Sequence, residues 1–287
     1  TLSMENEDTD VLVLENQISF DFDASNDQVE ESAILPNTFI KAKNYDWIKD
    51  EVLFVAVKAY HNDVVKDMPS LKLCGKSLLD WVSNAGSGCE RKVIEDCENI
   101  IDRVRSISTD KKIIAVFYSD TPLLNKATFN GFCEYFSSRN MNFLQLSRGF
   151  LVKTDFLRSG LSIAQGAGLD DKNLMIADSA KTLAYMSNVL YSKILNYHIK
   201  NGVIIYGQNT VFIDADVEIE SGTIIYPNNI IKGQTIIEGG VVLESGNIIK
   251  DSIIFSNAIV QNSYIENSKI SQGKKIEPFS KIIGQEI

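Results

Sequence analysis

Aliphatic residues recur every six positions through Ile213, Ile219, Ile225, Ile231, Ile237, Leu243 and Ile249, and few folds accommodate that spacing. A helix repeats its apolar face about every 3.6 residues and a half-buried strand about every two, so neither sustains a phase of six. The spacing predicts a coil with three short flat sides, each hexad giving one strand and one corner. The aliphatic residue points inward and stacks on its counterpart eighteen residues on. Val217, Thr223, Thr235 and Val241, four places after an aliphatic, suit the space beside a tight corner, and Gly and Asn tolerate the backbone there. Beyond Ile249 the steps shorten to five or six through Ile254, Val260, Ile265, Ile270, Ile276 and Ile282, so thirteen inward positions predict about four turns.

Such a prism resembles the left-handed parallel β-helix of hexapeptide-repeat proteins. NYHIKNGVIIYGQNTVFIDADVEIESGTIIYPNNIIKGQTI is more specific. Its NGV, FIDADVEI, YPN and IKGQT segments resemble, in order, the opening of the coil in the bifunctional N-acetylglucosamine-1-phosphate uridyltransferase / glucosamine-1-phosphate acetyltransferase family. The resemblance covers residues from about 177 to 282 and implies a homotrimer assembled through the coil. Acetyltransferase activity is not expected: the histidines are His61 and His198, neither within the coils, and the family's acetyl-transfer residues fall past Ile287.

The front of the chain reads as α/β. EVLFVAVKAY (51–60) and KKIIAVFY predict buried strands, NFLQL and GFLVK shorter ones. KSLLDWVSNA, RKVIEDCENIIDRVRSI and the region near NKATFNGFCEYFSS predict amphipathic helices. Residues 177–199 predict a long helix with Leu183, Met186, Leu190, Ile194 and His198 on one stripe, where His198 is core-facing or capping rather than catalytic. The fold class expected is therefore α/β plus β. A reduced nucleotidyltransferase-like (Rossmann-like) α/β domain over 46–176 follows an acidic arm over 1–45. A linker helix over 177–200 then leads into the short left-handed β-helix over 201–287.

Charge narrows the partners. The net charge is −10, and residues 1–35 hold ten Asp or Glu and no Lys or Arg, so the remainder balances to zero. That argues against nucleic-acid binding through a basic patch and predicts a solvated acidic lead, with Ile18, Phe20 and Phe22 alternating as one half-buried edge strand would. Cys74, Cys89, Cys97 and Cys133 show no paired spacing, which predicts free thiols in a reducing cytoplasm and no zinc site. Neither a signal sequence nor a membrane-spanning run is read, so no membrane partner is expected.

YSDTPLL (118–124) resembles the family's YGDxPLL segment, whose Asp binds the catalytic Mg²⁺. The resemblance thus implies Asp120 as one metal ligand and Asp178, in place of the family's Asn before the last helix, as the other. Both offer the hard oxygen that Mg²⁺ takes. The phosphate-binding parts depart from the family. Its Gly-rich loop with a Thr-Arg-Met corresponds here to KAYHNDVVKDM, with no Gly, no Arg, and Asp63 opposing phosphate. Ser70 stands in place of its phosphate-binding Lys, leaving Lys58, Lys66 and Lys72 as the phosphate candidates, with Lys76 near. Its base-reading strand-helix unit is missing, and SRG (147–149) replaces its NTG. GFLVKTDFL still resembles the family's GxYxFxTxFL strand.

Three readings follow. The first is a degenerate nucleotide-sugar pyrophosphorylase homologue that binds a nucleotide or nucleotide-sugar, or scaffolds, without turnover. The second is a working Mg²⁺-dependent nucleotidyltransferase joining an NTP and a sugar 1-phosphate. The third is a structural protein trimerised by its coil.

Overall fold

The computed structural model describes residues 45–60, 68–161, 163 and 168–287. The acidic lead with Ile18, Phe20 and Phe22, and positions His61, Asp63 and Lys66, lie outside them. Two units interleave along the chain. One comprises the described residues up to Ala56 with Ser83–Phe117 and Leu124–Asn173; the other comprises Val57–Val82, Tyr118–Leu123 and Leu174–Ile287.

The first unit is built on a mixed sheet. The chain up to Arg158 runs α1 (Asp46–Glu51), β1 (Val52–Lys58), hairpin strands β2 (Lys72–Leu73) and β3 (Lys76–Ser77), α2 (Leu78–Ala85), β4 (Glu90–Glu95), α3 (Ile100–Arg105), β5 (Ile113–Tyr118), α4 (Lys126–Ser138), β6 (Phe143–Leu146), β7 (Gly149–Lys153) and α5 (Thr154–Arg158), of which the β2–β3 hairpin and the start of α2 belong to the second unit. The sheet order is β4-β1-β5-β7-β6, with β5–β7 and β7–β6 antiparallel. Continuous apolar runs place β1 and β5 inside it, where every residue of β5 is buried. Phe54 stacks on Phe117 at 5.4 Å, and Phe129 of α4 meets both edge-on at 5.2 and 6.0 Å. The Gly of SRG has a mechanical reason: at Gly149 a Cβ would lie 2.3 Å from the Val116 carbonyl oxygen, so no side chain fits between β7 and β5.

One expected element is different. RKVIEDCENIIDRVRSI, expected as a single helix, splits into β4 and α3. The Asp96 side chain accepts from the Cys97 N–H (2.9 Å), and Asn99 caps α3 by accepting from the Asp102 N–H (3.2 Å). Polar side chains that satisfy the backbone locally interrupt a helix there. The helical spacing of Val93 and Cys97 was coincidental: Val93 sits exposed on an edge strand.

In the second unit α6 (Ala180–Lys200) leads into fourteen short strands, β8 (Ile204–Ile205) to β21 (Lys281–Ile283), in three parallel sheets. Ile213, Ile231, Ile249, Ile265 and Ile282 stand in register on one side. Ile219, Ile237, Ile254 and Ile270 form the second stack, and Ile225, Leu243, Val260 and Ile276 the third. All thirteen predicted inward residues are buried, as are Val217, Thr223, Thr235 and Val241. Leu195 of α6 joins the same core.

The shortened steps have a specific solution. At Ile249–Ile254, Val260–Ile265 and Ile265–Ile270 the corner reads Lys-Asp-Ser, Gln-Asn-Ser and Glu-Asn-Ser. Asp251, Asn262 and Asn267 take positive φ of 48°, 36° and 47°, a conformation Asn and Asp tolerate better than most residues. The serine then turns inward and its hydroxyl donates to the carbonyl two residues back, at 2.7 Å each time (Ser252, Ser263, Ser268). A buried amide ladder holds another corner: the Asn247 side-chain amide donates to Asn229 Oδ1 (2.9 Å) and the carbonyls of Glu244 and Val260, while its Oδ1 accepts from the Ser263 N–H (2.9 Å).

Removing the middle rung leaves buried donors and acceptors on both neighbours. Asn247→Ala is expected to destabilise the protein by about 2–4 kcal/mol in urea unfolding. Asn262→Gly, at a left-handed corner that Gly also accepts, should shift stability by less than about 1 kcal/mol.

Candidate functional site

Asp120 lies where β5 ends. The Ser119 N–H donates to the Val57 carbonyl (2.8 Å), and Ser119 Oγ accepts from the Ala59 N–H (2.9 Å), tying this loop to the end of β1. The Thr121 N–H and hydroxyl both donate to the Tyr118 carbonyl, at 3.1 and 2.8 Å, closing a tight turn around Asp120. Asp120 is fully buried. Its carbonyl accepts from the Ala177 N–H at 2.7 Å, so the segment carrying Asp178 runs directly beside it. Asp178 is exposed and accepts from the Thr182 hydroxyl (3.2 Å). The next residue, Ser179, starts α6 with a reciprocal Ser179–Thr182 capping box. The structure therefore brings the two predicted metal-ligand positions onto adjoining segments, with Lys58 next to Val57 at the same strand end.

Lys72 is placed elsewhere, in the hairpin that docks on the coil's first turn. Cys74 and Gly75 make its bend, with φ of 50° and 85°. A Cβ at Gly75 would sit 2.8 Å from Asp214 Cγ, so glycine is required by close approach as well as by φ. The Cys74 carbonyl accepts from the Ala215 N–H (2.9 Å). Lys76 pairs with Asp216 at 2.9 Å and lies 5.7 Å above the Trp81 ring, whose indole N–H donates to the Leu73 carbonyl (2.8 Å). Ser70, in the position of a family phosphate lysine, is exposed.

This joint is electrostatically unusual. Burial pushes the Asp214 carboxyl up, against a hydrogen bond from the Gly233 N–H and the charges of Lys232 and Lys72. Burial, then Asp214, pushes the Cys74 thiol up to about 12; burial, then Cys74, does the same for Tyr191. The only sequence signals for it were a Cys-Gly bend between two short Lys-bearing strands and an IDAD corner with paired acids.

Near the C-terminal end of α6, His198 is buried as expected, and its backbone carbonyl accepts from the N–H groups of Asn201 and Val203. Among the described residues its Nδ1 has no hydrogen-bond partner, and burial pushes its pKa down. Sequence spacing predicted the burial; nothing in it signalled the unpaired nitrogen.

The architecture defines a class: a mixed α/β unit and a parallel three-sided β-coil, with two carboxylate-bearing segments joined at the end of a buried strand. No family model matches the chain. Over 133 residues it is 26% identical to the bifunctional protein GlmU of Clostridioides difficile (strain 630), covering 45% of this chain and 28% of that protein. It is 43% identical to GlmU of Clostridium beijerinckii over 56 residues (20% and 12%) and 36% identical to GlmU of Acetivibrio thermocellus over 63 (22% and 14%). The chain thus spans less than a third of the length of these relatives. Among solved structures, that of Rv0371c from Mycobacterium tuberculosis H37Rv matches 48% of this chain and 97% of its own at 14% identity, with a TM-score of 0.34, too low to bear on the fold. Among the described residues no helix is long and apolar enough to cross a membrane.

His198 supplies a pH prediction. Its folded pKa lies below the unfolded value, so the unfolded chain binds the extra proton and this contribution to stability is lost as pH falls through about 6.5. Urea midpoints measured from pH 8 to pH 5 should fall across that window, and the His198→Leu variant should lose that part of the decline.

Proposed function

We propose that this chain is a degenerate relative of the UDP-N-acetylglucosamine type of nucleotide-sugar pyrophosphorylase, binding nucleotide or acting as a scaffold without turnover. The observation that carries the reading is the extent of the GlmU similarity. A match over 133 residues is longer than residues 177–287, so it takes in more than the coil and its leading helix. In this reading the mixed sheet is a reduced Rossmann-like nucleotidyltransferase domain over 46–176, after the acidic arm over 1–45. The helix over 177–200 is a linker, and the coil over 201–287 is a left-handed hexapeptide β-helix. The protein is cytoplasmic.

Asp120 and Asp178 provide carboxylate oxygens, the donor chemistry that suits Mg²⁺. Bound there, the ion would neutralise and orient nucleotide phosphates. The chain's own groups supply little else for transfer. Lys76 is paired with Asp216, Lys72 sits beside Asp214, Asp120 is fully buried, and KAYHNDVVKDM lacks the glycines and arginine of a phosphate loop. Losing a single transition-state donor costs roughly 10²- to 10³-fold in rate, so several such departures support binding without turnover. The Ala177–Asp120 hydrogen bond favours the second reading, a working Mg²⁺-dependent nucleotidyltransferase, because it keeps both carboxylate segments together.

Assembly as a homotrimer through the coil rests on the outward stripe of Ile204, Ile224, Val242 and Ile259, in register on one sheet and followed by Lys275. Ile204 and Ile259 expose 45% and 36% of their surface, a cost that packing against further copies removes.

Thermal shifts with UTP, CTP, ATP and UDP-sugars, with and without Mg²⁺, test the proposal. The expected result is a Mg²⁺-dependent shift, lost in Asp178→Ala and weakened in Asp120→Asn, with no pyrophosphate released on adding a sugar 1-phosphate. Pyrophosphate release would establish the second reading; no shift with any nucleotide would leave a structural protein. Light scattering should give three times the chain mass, reduced by Val242→Lys, and a monomeric mass would overturn the trimer.

A further inference from the structure

The mixed sheet of the first unit has two edges, β4 and β6. The β6 edge is closed by the chain itself. The Ser147 N–H donates to the Leu169 carbonyl (2.8 Å), and the Leu169 N–H donates to the Gln145 carbonyl (2.9 Å). The approach is close: a Cβ at Gly168 would lie 2.5 Å from the Leu146 carbonyl oxygen. The β4 edge is different. Among the described residues, no backbone group of Glu90–Ile94 bonds to anything beyond the sheet. An edge left open in this way presents a row of donors and acceptors to another strand.

The six residues of β4 alternate in burial from Arg91 onward. Arg91, Val93 and Glu95 stand exposed on one face, Val93 by 50%, while Lys92 and Ile94 are half-buried on the other. Lys92 Nζ donates to the Ser108 carbonyl (2.6 Å), and the Arg91 guanidinium reaches the Ser83 carbonyl at 3.3 Å. Positive, apolar and negative in that order is its own complement when the strand is reversed. Across a two-fold axis normal to the sheet, a second copy meets the first antiparallel and with the same faces aligned. With Val93 on the axis, Val93 meets its own copy, and Arg91 faces Glu95 of the second copy on both sides. On the other face the Lys92 stem lies along Ile94 of the second copy. Glu90 and Asp96 come opposite each other only beyond these pairs, where Lys92 lies 3.6 Å from Glu90. Neighbouring registers lack the match. Lys92 on the axis sets two lysines against each other, and Ile94 on the axis sets Val93 against Glu95.

We propose that β4 is a homotypic docking edge, pairing antiparallel with β4 of a second copy through Val93 and two Arg91–Glu95 contacts, so that two mixed sheets become one continuous sheet. Two such short strands cover less than the roughly 1,200 Å² of a stable interface, so the contact forms at high protein concentration and adds to the assembly made through the coil. It rests neither on nucleotide binding nor on the trimer.

Sedimentation equilibrium of the full chain over the micromolar to millimolar range tests it. The dilute mass stays at the value the coil sets, and the expected result is a rise towards twice that value as concentration increases. Arg91→Glu sets Glu against Glu95 at both symmetry-related contacts and should weaken the association at least about tenfold; Val93→Lys should do the same. Arg91→Glu/Glu95→Arg, which reverses both charges and remakes both pairs, should bring it back. These side chains are exposed, so the variants should fold. Val242→Lys should lower the dilute mass and leave the doubling in place, which separates this contact from the one made through the coil. A mass independent of concentration, as when another segment occupies the edge, an association untouched by Arg91→Glu, or a charge-reversed double variant that stays dissociated would each overturn the proposal.

Discussion

The inward aliphatic ladder is the constraint on which the coil depends. Each ladder residue is held by the one a turn above and the one a turn below, and burying such a side chain is worth about 1.5–3 kcal/mol against leaving it exposed. A slip of one residue would turn an aliphatic stack outward and a polar row inward, so register is fixed far more strongly than any single corner. The corners therefore adapt to the ladder. Where the chain offers five residues in place of six, a left-handed Asp or Asn and an inward serine take up the difference, and the stacked isoleucines stay in line. Leu195 carries the same core into α6, so the helix covers the start of the ladder.

How much of this was legible followed from how local the cause was. The ladder could be read because its spacing is a property of the chain alone, and each of Ile213 to Ile282 proved buried. The strand ending at Tyr118 could be read from an unbroken apolar run. β4 could not, because Val93, Cys97, Ile100, Ile101 and Val104 fit a helical period. What breaks that period is Asn99 and Asp96 bonding to their own backbone. The Asn229–Asn247 ladder was hidden in a different way: asparagine in a corner reads as a solvated turn residue, and only a turn of coil eighteen residues away makes it a buried partner.

The site shows the same division. Asp120 and Asp178 were paired by resemblance, and a backbone hydrogen bond does place their segments side by side. Nearness in sequence points to Lys58, Lys66 and Lys72 as phosphate groups. The hairpin instead delivers Lys72 and Lys76 to acids on the coil because Gly75 lets the bend press against Asp214. Sequence distance was a poor guide there, since the partner lies about 140 residues further along.

Where chemistry can vary in this molecule also follows from the ladder. Inward positions are committed to packing and corner positions to backbone geometry, which leaves the outward residue of each short strand free to change. On one sheet those positions are largely apolar, Ile204, Ile224, Val242 and Ile259, and at β10 (Glu218–Ile219) the outward residue is Glu218, with exposed Glu220 just past the strand. A stripe of isoleucine and a pair of glutamates cost the coil's interior the same, because neither touches it.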